Sequence, residues 1–224
     1  MNQLDKRPYF VPKPWGREYI CWESKDCAIW YLEILHGKST SFHCHVDKNT
    51  GLVALSGLIE LTLINSSYKL HPLEKINIFR GRFHKSTSLS MPMATLLEVE
   101  SPVNKADLVR WEDSHGRVDS NYESDRIIFK DDEPYLWLGS PSEYKESQTF
   151  QGLNYLIFQK NRLISELVLC DDAVYILLVG RIYEKIITKS VVIPGDALSK
   201  KVLSLLHERF LISEDCLFLK IYKR

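Results

Sequence analysis

The chain has 224 residues, 29 Lys+Arg against 29 Asp+Glu, and 45% hydrophobic residues. That is enough for one large domain or two small ones, and it excludes a disordered or fibrous chain. A net charge of zero supplies no excess of cations to displace counterions from a polyanion, which argues against a general nucleic-acid binder. No run reaches the roughly 18 apolar residues that a membrane span needs. The start, MNQLDKRPYFVPKPWG, is charged and proline-containing where a leader would be apolar. A soluble, cytoplasmic protein with no nucleic-acid or membrane partner is therefore expected. Five cysteines, an odd number with no CxxC pair, suit free thiols in a reducing compartment. Cys44 alone has a ligand alternative, because histidines flank it, yet on a strand it points away from them.

Short runs rich in Ile, Val, Leu, Tyr and Phe follow one another along the chain. They cover 28–35, 51–55, 58–64, 75–79, 94–100, 155–159, 163–169, 173–179, 181–188, 190–194 and 216–222. Gly, Asn, Ser, Asp or Pro separates them at fairly regular intervals, the pattern of an all-β sandwich or barrel. Two stretches read as helix: 199–206, where Val202, Leu205 and Leu206 have helical spacing, and 105–112. The stretch 116–148 is acidic, polar and proline-containing, and it reads as a connector at about 118–148 between an N-terminal unit, 1–125, and a second β-rich unit, 126–224. Each unit holds a strand–Gly–strand hairpin, around Gly57 and Gly180, so a duplicated β unit stands beside the plainer reading of two ordinary hairpins.

Taken singly, none of the seven histidines has a telling context. Three of them form a group. In STSFHCHVDKNTG, His43 and His45 are two apart, so an extended backbone sends both imidazoles to one side of a sheet, as two ligands of one metal require. In FRGRFHKS, Gly81 permits a tight turn that can return His84 on a neighbouring strand as a third ligand.

The order Gly37, His43-x-His45, Gly57, then Gly81-x2-His84 resembles the two sequence blocks of the cupin superfamily. The flanks, KPWGREYI and LLEVESPVNKADLVRWEDSHGR, are similar to the cupin domain of type II phosphomannose isomerases, which has PWG near its first strand and EVQ, a loop and DIVRxEDxYGR after the barrel. The resemblance spans about 12–118, roughly half of the chain. It implies an all-β fold of two jelly-roll, cupin-like barrels with one or two short helices. It also implies one divalent metal ion (Zn, Mn, Fe or Ni) on His43, His45 and His84. Two positions depart from the family: the cupin glutamate falls on Thr50, and the proline of its PxG turn on Phe79.

A replacement carboxylate can come from Glu98 or Glu100, which share one strand face and whose default reading is an outward, solvated pair. Glu98, Glu100 and Lys48 stand as candidates for the catalytic proton carrier. Arg80, Arg82 and Lys85 bracket His84, and with Lys48 they form an expected cationic rim. Arg82 and Lys85 are candidate contacts to an anionic ligand, with edge-strand charge as the plain alternative. In DLVRWEDSHGR, Arg110 and Arg117 match the family's two arginines and either reach the barrel mouth or only fix the segment in place. Trp15 offers a face to a sugar ring or a place in the core, as do Trp22 and Trp30. The second unit has no HxH, and His207 is alone, so this unit reads as metal-free and structural.

The resemblance implies an isomerase or epimerase acting on a phosphorylated or nucleotide-linked sugar in bacterial polysaccharide synthesis. A three-His iron-dependent oxygenase and a non-catalytic sugar-binding module are the alternatives. The expected partners are a small anionic sugar and, through exposed sheet edges, a second copy of the chain.

Overall fold

The computed structural model describes residues 8–116, 125–139, 147–169 and 172–223. The first half contains β1 (Tyr9–Lys13), β2 (Gly16–Glu23), β3 (Ala28–Leu35), β4 (Phe42–Cys44), β5 (Asn49–Ser56), β6 (Ile59–Leu63), β7 (Ser67–Leu70), β8 (Lys75–Ile78), β9 (His84–Ser88), β10 (Met93–Ser101), β11 (Val109–Glu112) and β12 (Ile127–Ile128). They build a seven-stranded sheet, β12-β1-β2-β3-β10-β5-β8, and a five-stranded sheet, β11-β4-β9-β6-β7. Every described pairing in them is antiparallel. The second half adds β13 (Gln148–Phe150), β14 (Leu153–Gln159), helix α1 (Leu163–Val168), β15 (Ala173–Val179), β16 (Ile182–Tyr183), β17 (Ser190–Val192), β18 (Ala197–Ser199), helix α2 (Lys200–Arg209), β19 (Leu211–Ile212) and β20 (Leu217–Tyr222). These form sheets β13-β14-β20-β15-β18 and β17-β16-β19. Among the described residues the protein is thus all-β, four antiparallel sheets with two short α-helices, and no helix is long and apolar enough to cross a membrane.

Three apolar layers hold the four sheets together. Ile59 and Leu61 of β6 pack with Trp30, Leu32, Leu52 and Leu96 to fill the first barrel. The opposite face of the seven-stranded sheet, including Tyr19, Ile29, Tyr31, Val53, Leu97 and Val99, packs on Tyr155, Ile157, Ile176 and Leu219 of the second half. The third layer lies on the far side of the second half's five-stranded sheet, where Phe158, Tyr175, Leu177 and Phe218 pack with Ile182, Ile212 and Leu203. Phe129, Leu136 and Leu138, from the acidic stretch, are buried in the shared middle layer. Strand β10 is consequently enclosed on both faces. Odd residues look to the second half, while Ala94, Leu96, Glu98 and Glu100 look into the barrel.

Two segments differ from expectation. Residues 163–168 are helix, because Leu163, Glu166 and Leu167 at i, i+3 and i+4 make the buried stripe, a spacing that a short apolar run disguises as strand. Within 105–112, Val109–Glu112 is strand rather than helix, paired along β4 with Arg110 opposite His43.

The halves meet closely where Gly51 faces Gly195. A Cβ on Gly51 would stand 2.4 Å from the Gly195 carbonyl oxygen, with rigid backbone on both sides. Beside it the Asn77 side chain mimics a strand, its Oδ1 accepting from the Ala197 N–H (2.9 Å) and its Nδ2 donating to the Ala197 carbonyl (3.2 Å). Gly51→Ala is expected to lower the unfolding free energy by about 1–3 kcal/mol through overpacking. A urea midpoint equal to that of wild type would show that the joint yields freely.

Candidate metal centre

Strand β4 carries His43 inward, with His45 just beyond it, and pairs with β9 so that His43 lies opposite His84. Gly81, at φ 75°, makes the turn that brings His84 back, and its N–H donates to the His45 carbonyl at 2.6 Å. All three rings are buried, with centroids 4.4 Å (43–84), 5.0 Å (43–45) and 5.5 Å (45–84) apart. One nitrogen from each lies within 4.8 Å of the others.

The outer nitrogens settle which atoms converge. Nδ1 of His43 meets the Ser41 carbonyl at 2.8 Å, that of His45 the Asp107 carbonyl at 2.5 Å, and that of His84 the Arg82 carbonyl at 3.1 Å. A carbonyl oxygen only accepts, so each Nδ1 carries the proton and each Nε2 presents a lone pair. Metal-binding imidazoles are held in this way by their other nitrogen. His45 Nε2 is buried with no hydrogen-bond partner, an unsatisfied acceptor that a metal ion would fill. Burial pushes all three imidazoles below their ordinary pKa, His45 to about 4, so the trio is neutral at pH 7. Three neutral nitrogen donors with room for further ligands suit a divalent first-row ion. Among the described residues no other such cluster of His, Cys, Asp and Glu occurs; the four described cysteines, Cys44 included, are free thiols outside it.

Asp107 fixes the loop that follows His45. Its carboxylate accepts the N–H groups of Val46 (2.8 Å), Asp47 (2.9 Å) and Lys48 (3.0 Å), while its carbonyl takes the His45 Nδ1–H. The sequence reading passed over this residue, although it lies in the ADLVR element used for the resemblance. Asp107→Ala keeps the carbonyl that holds His45 but frees the loop at 46–48, and it is expected to weaken metal binding about 10-fold, the low end of the usual cost of losing support to a ligand. Calorimetric titration with Zn2+ checks this, and an unchanged affinity would leave the Asp107 carboxylate no part in the site.

The expected solvated pair Glu98 and Glu100 is buried instead, because β10 has no face toward water. Lys48 is not on a rim either. It is buried, its Nζ bonded to Glu100 Oε2, while Trp30 Nε1 donates to Glu100 Oε1 at 3.0 Å. Nearby, Lys105 and Lys13 share Glu18 Oε1 at 3.3 Å and 3.7 Å, and Lys105 lies 3.8 Å over the Trp30 ring. His43 and His45 open onto a pocket whose walls also carry Lys13, Trp15, Glu18, Glu98, Lys105 and Arg110. Burial raises the Glu98 pKa, but Lys105, Lys48 and the imidazoles outweigh it and hold the carboxyl below its ordinary value. Thr50, at the position of the cupin glutamate, is buried with its Oγ1 unpartnered.

Of the other predicted contacts, Trp15 and Arg110 reach this pocket. Lys85 lines a neighbouring depression with Thr40, Glu112 and Asp113, and Arg82 is exposed in the turn before β9. Arg117 lies outside the described residues. Lys13, Glu18 and Lys105 were missed, since nothing in a sequence pairs charges separated by about ninety residues; KPWG is the one local signal near them.

No family profile and no curated protein matches the chain. Solved structures do. KdgF from Halomonas sp. is 17% identical with a TM-score of 0.41, matched over 45% of this chain and 92% of its own. An uncharacterized conserved protein with a double-stranded β-helix domain from Klebsiella pneumoniae is 16% identical, TM-score 0.39, over 43% and 84%. A sugar phosphate isomerase from the cupin superfamily, from Silicibacter pomeroyi, is 12% identical, TM-score 0.39, over 46% and 76%.

Proposed function

We propose that this cupin-fold protein is a metal-dependent enzyme that isomerises or epimerises an anionic sugar. The observation that carries the reading is the convergence of three neutral imidazole Nε2 lone pairs, each Nδ1 tied to a backbone carbonyl, with one Nε2 left unsatisfied. A divalent ion on these nitrogens supplies Lewis acidity toward carbonyl and hydroxyl oxygens of the ligand. The surrounding charges select an anion. Lys13, Lys48, Lys105 and Arg110 face Glu18, Glu98 and Glu100, and a bound dication adds to this cationic excess. Positive charge lining a pocket of this kind favours a phosphate or carboxylate on the ligand. Lys105 and Arg110 are the pocket cations nearest the family-like segment and would orient that group.

Elemental analysis of protein purified without chelators, followed by assay against a panel of sugar phosphates, tests the reading. One equivalent of metal with isomerisation of a panel member supports it, whereas retained sugar binding with no metal would identify a non-catalytic module. The neutral ligand set left by Thr50 favours one further reading, a three-His iron-dependent oxygenase. Iron with oxygen consumption points there, and zinc or manganese without it points to the isomerase.

A further inference from the structure

We propose that Glu98 is the group that takes the substrate proton, so that the site acts on an α-hydroxy carbonyl compound held between the three imidazoles and this carboxylate. The assignment rests on the metal-dependent sugar reading above and adds to it the base and the reacting part of the ligand.

Three carboxylates are enclosed in the barrel, and their hydrogen bonding sorts them. Glu100 has both oxygens engaged, by Lys48 and Trp30. Glu18 is held between Lys13 and Lys105. Glu98 is about nine-tenths buried and lines the pocket, yet among the described residues no group donates a hydrogen bond to it or pairs with it at ion-pair distance. A buried carboxylate with open lone pairs is costly unless something donates to it, and the pocket is where that donor can arrive.

Its place in the pocket assigns the role. The cluster of converging ligand atoms is His43, His45 and His84, while Glu98 lines the same pocket as His43 and His45, so a ligand in that pocket meets the carboxylate as well as the imidazoles. Glu98 lies two positions from Glu100 on the inward face of β10, whose backbone is locked on both sides, so the carboxylate is aimed by a rigid strand.

The step balances without a co-reactant. The C–H bond beside the carbonyl breaks and its proton goes to Glu98 Oε. The C–H electron pair becomes the C=C bond of an enediolate, and the carbonyl π pair moves onto oxygen. Glu98 returns the proton to the former carbonyl carbon while the hydroxyl proton passes to the former carbonyl oxygen, giving the isomeric carbonyl.

The test uses D-fructose 6-phosphate in D2O as the probe, with proton NMR following loss of the C1–H signal in metal-loaded wild type, Glu98→Gln and Glu98→Asp. The expected result is exchange by wild type, a loss of at least about 100-fold in Glu98→Gln, partial recovery in Glu98→Asp, and full metal content in all three. Loss of metal from Glu98→Gln would make Glu98 a ligand and overturn the proposal. Equal exchange by wild type and Glu98→Gln overturns this assignment alone. A metal-loaded wild type that exchanges nothing overturns the assignment together with the sugar reading.

Discussion

Glu100→Ala lowers the unfolding free energy by about 3–5 kcal/mol, the cost of breaking a buried ion pair. Glu100 and Lys48 have side chains 0% and 1% exposed, and although 52 positions apart they meet where the start of β5 pairs with the end of β10. Removing the carboxylate leaves the ammonium without its hydrogen-bonded counter-charge and also strands the Trp30 N–H. Lys48→Met alone incurs a loss of the same order, because it leaves the Glu100 carboxyl buried without its counter-charge. The double replacement Lys48→Met, Glu100→Leu recovers most of either loss, since two apolar side chains need neither charge nor partner. Urea unfolding of the four proteins measures this directly. Single variants within about 1 kcal/mol of wild type would mean that water reaches the pair and screens it.

His84→Ala abolishes stoichiometric metal. Loss of a supporting residue weakens a metal site about 10–100-fold, so loss of one of three protein ligands weakens it at least about 100-fold. Two readouts check the result. Elemental analysis of His84→Ala gives little bound metal, and added Zn2+ raises the melting temperature of wild type but not of the variant, because only a folded site that binds the ion gains stability from it. His207→Ala, at an exposed position in the second half, serves as the control and retains both signals. Undiminished metal in His84→Ala would place the ion elsewhere in the protein.

The residues that sequence reasoning located most securely are those whose geometry is local. Two positions along a strand return a side chain to the same side, so His43 and His45 were placed together by spacing alone, and a glycine turn sufficed to add His84. The all-β architecture was legible for the same reason, in short β-branched and aromatic runs punctuated by turn residues. Glu98 and Glu100 failed this test. In TLLEVE the alternation of apolar and charged residues reads as one dry and one wet face, and only knowledge that another sheet covers the dry one, while a barrel encloses the other, shows that neither meets water. Lys48 was misplaced by the same logic, because its partner lies 52 residues away. Residues 163–168 are too few for period 2 and period 3.6 to be told apart, and their helix is settled by Glu166 turning inward to Lys220, a contact made across the second half.

Enclosure of β10 on both faces has a consequence for how this chain can vary. The side chains that aim the carboxylates and the side chains that bind the two halves alternate along nine residues of one strand. A slip of one residue would exchange the sets, turning Glu98 and Glu100 toward Tyr155 and Ile176 and sending Leu97 and Val99 into the pocket. The second half therefore acts as a register lock. Its inner sheet holds the pocket carboxylates in place by packing on the other face of the strand that carries them.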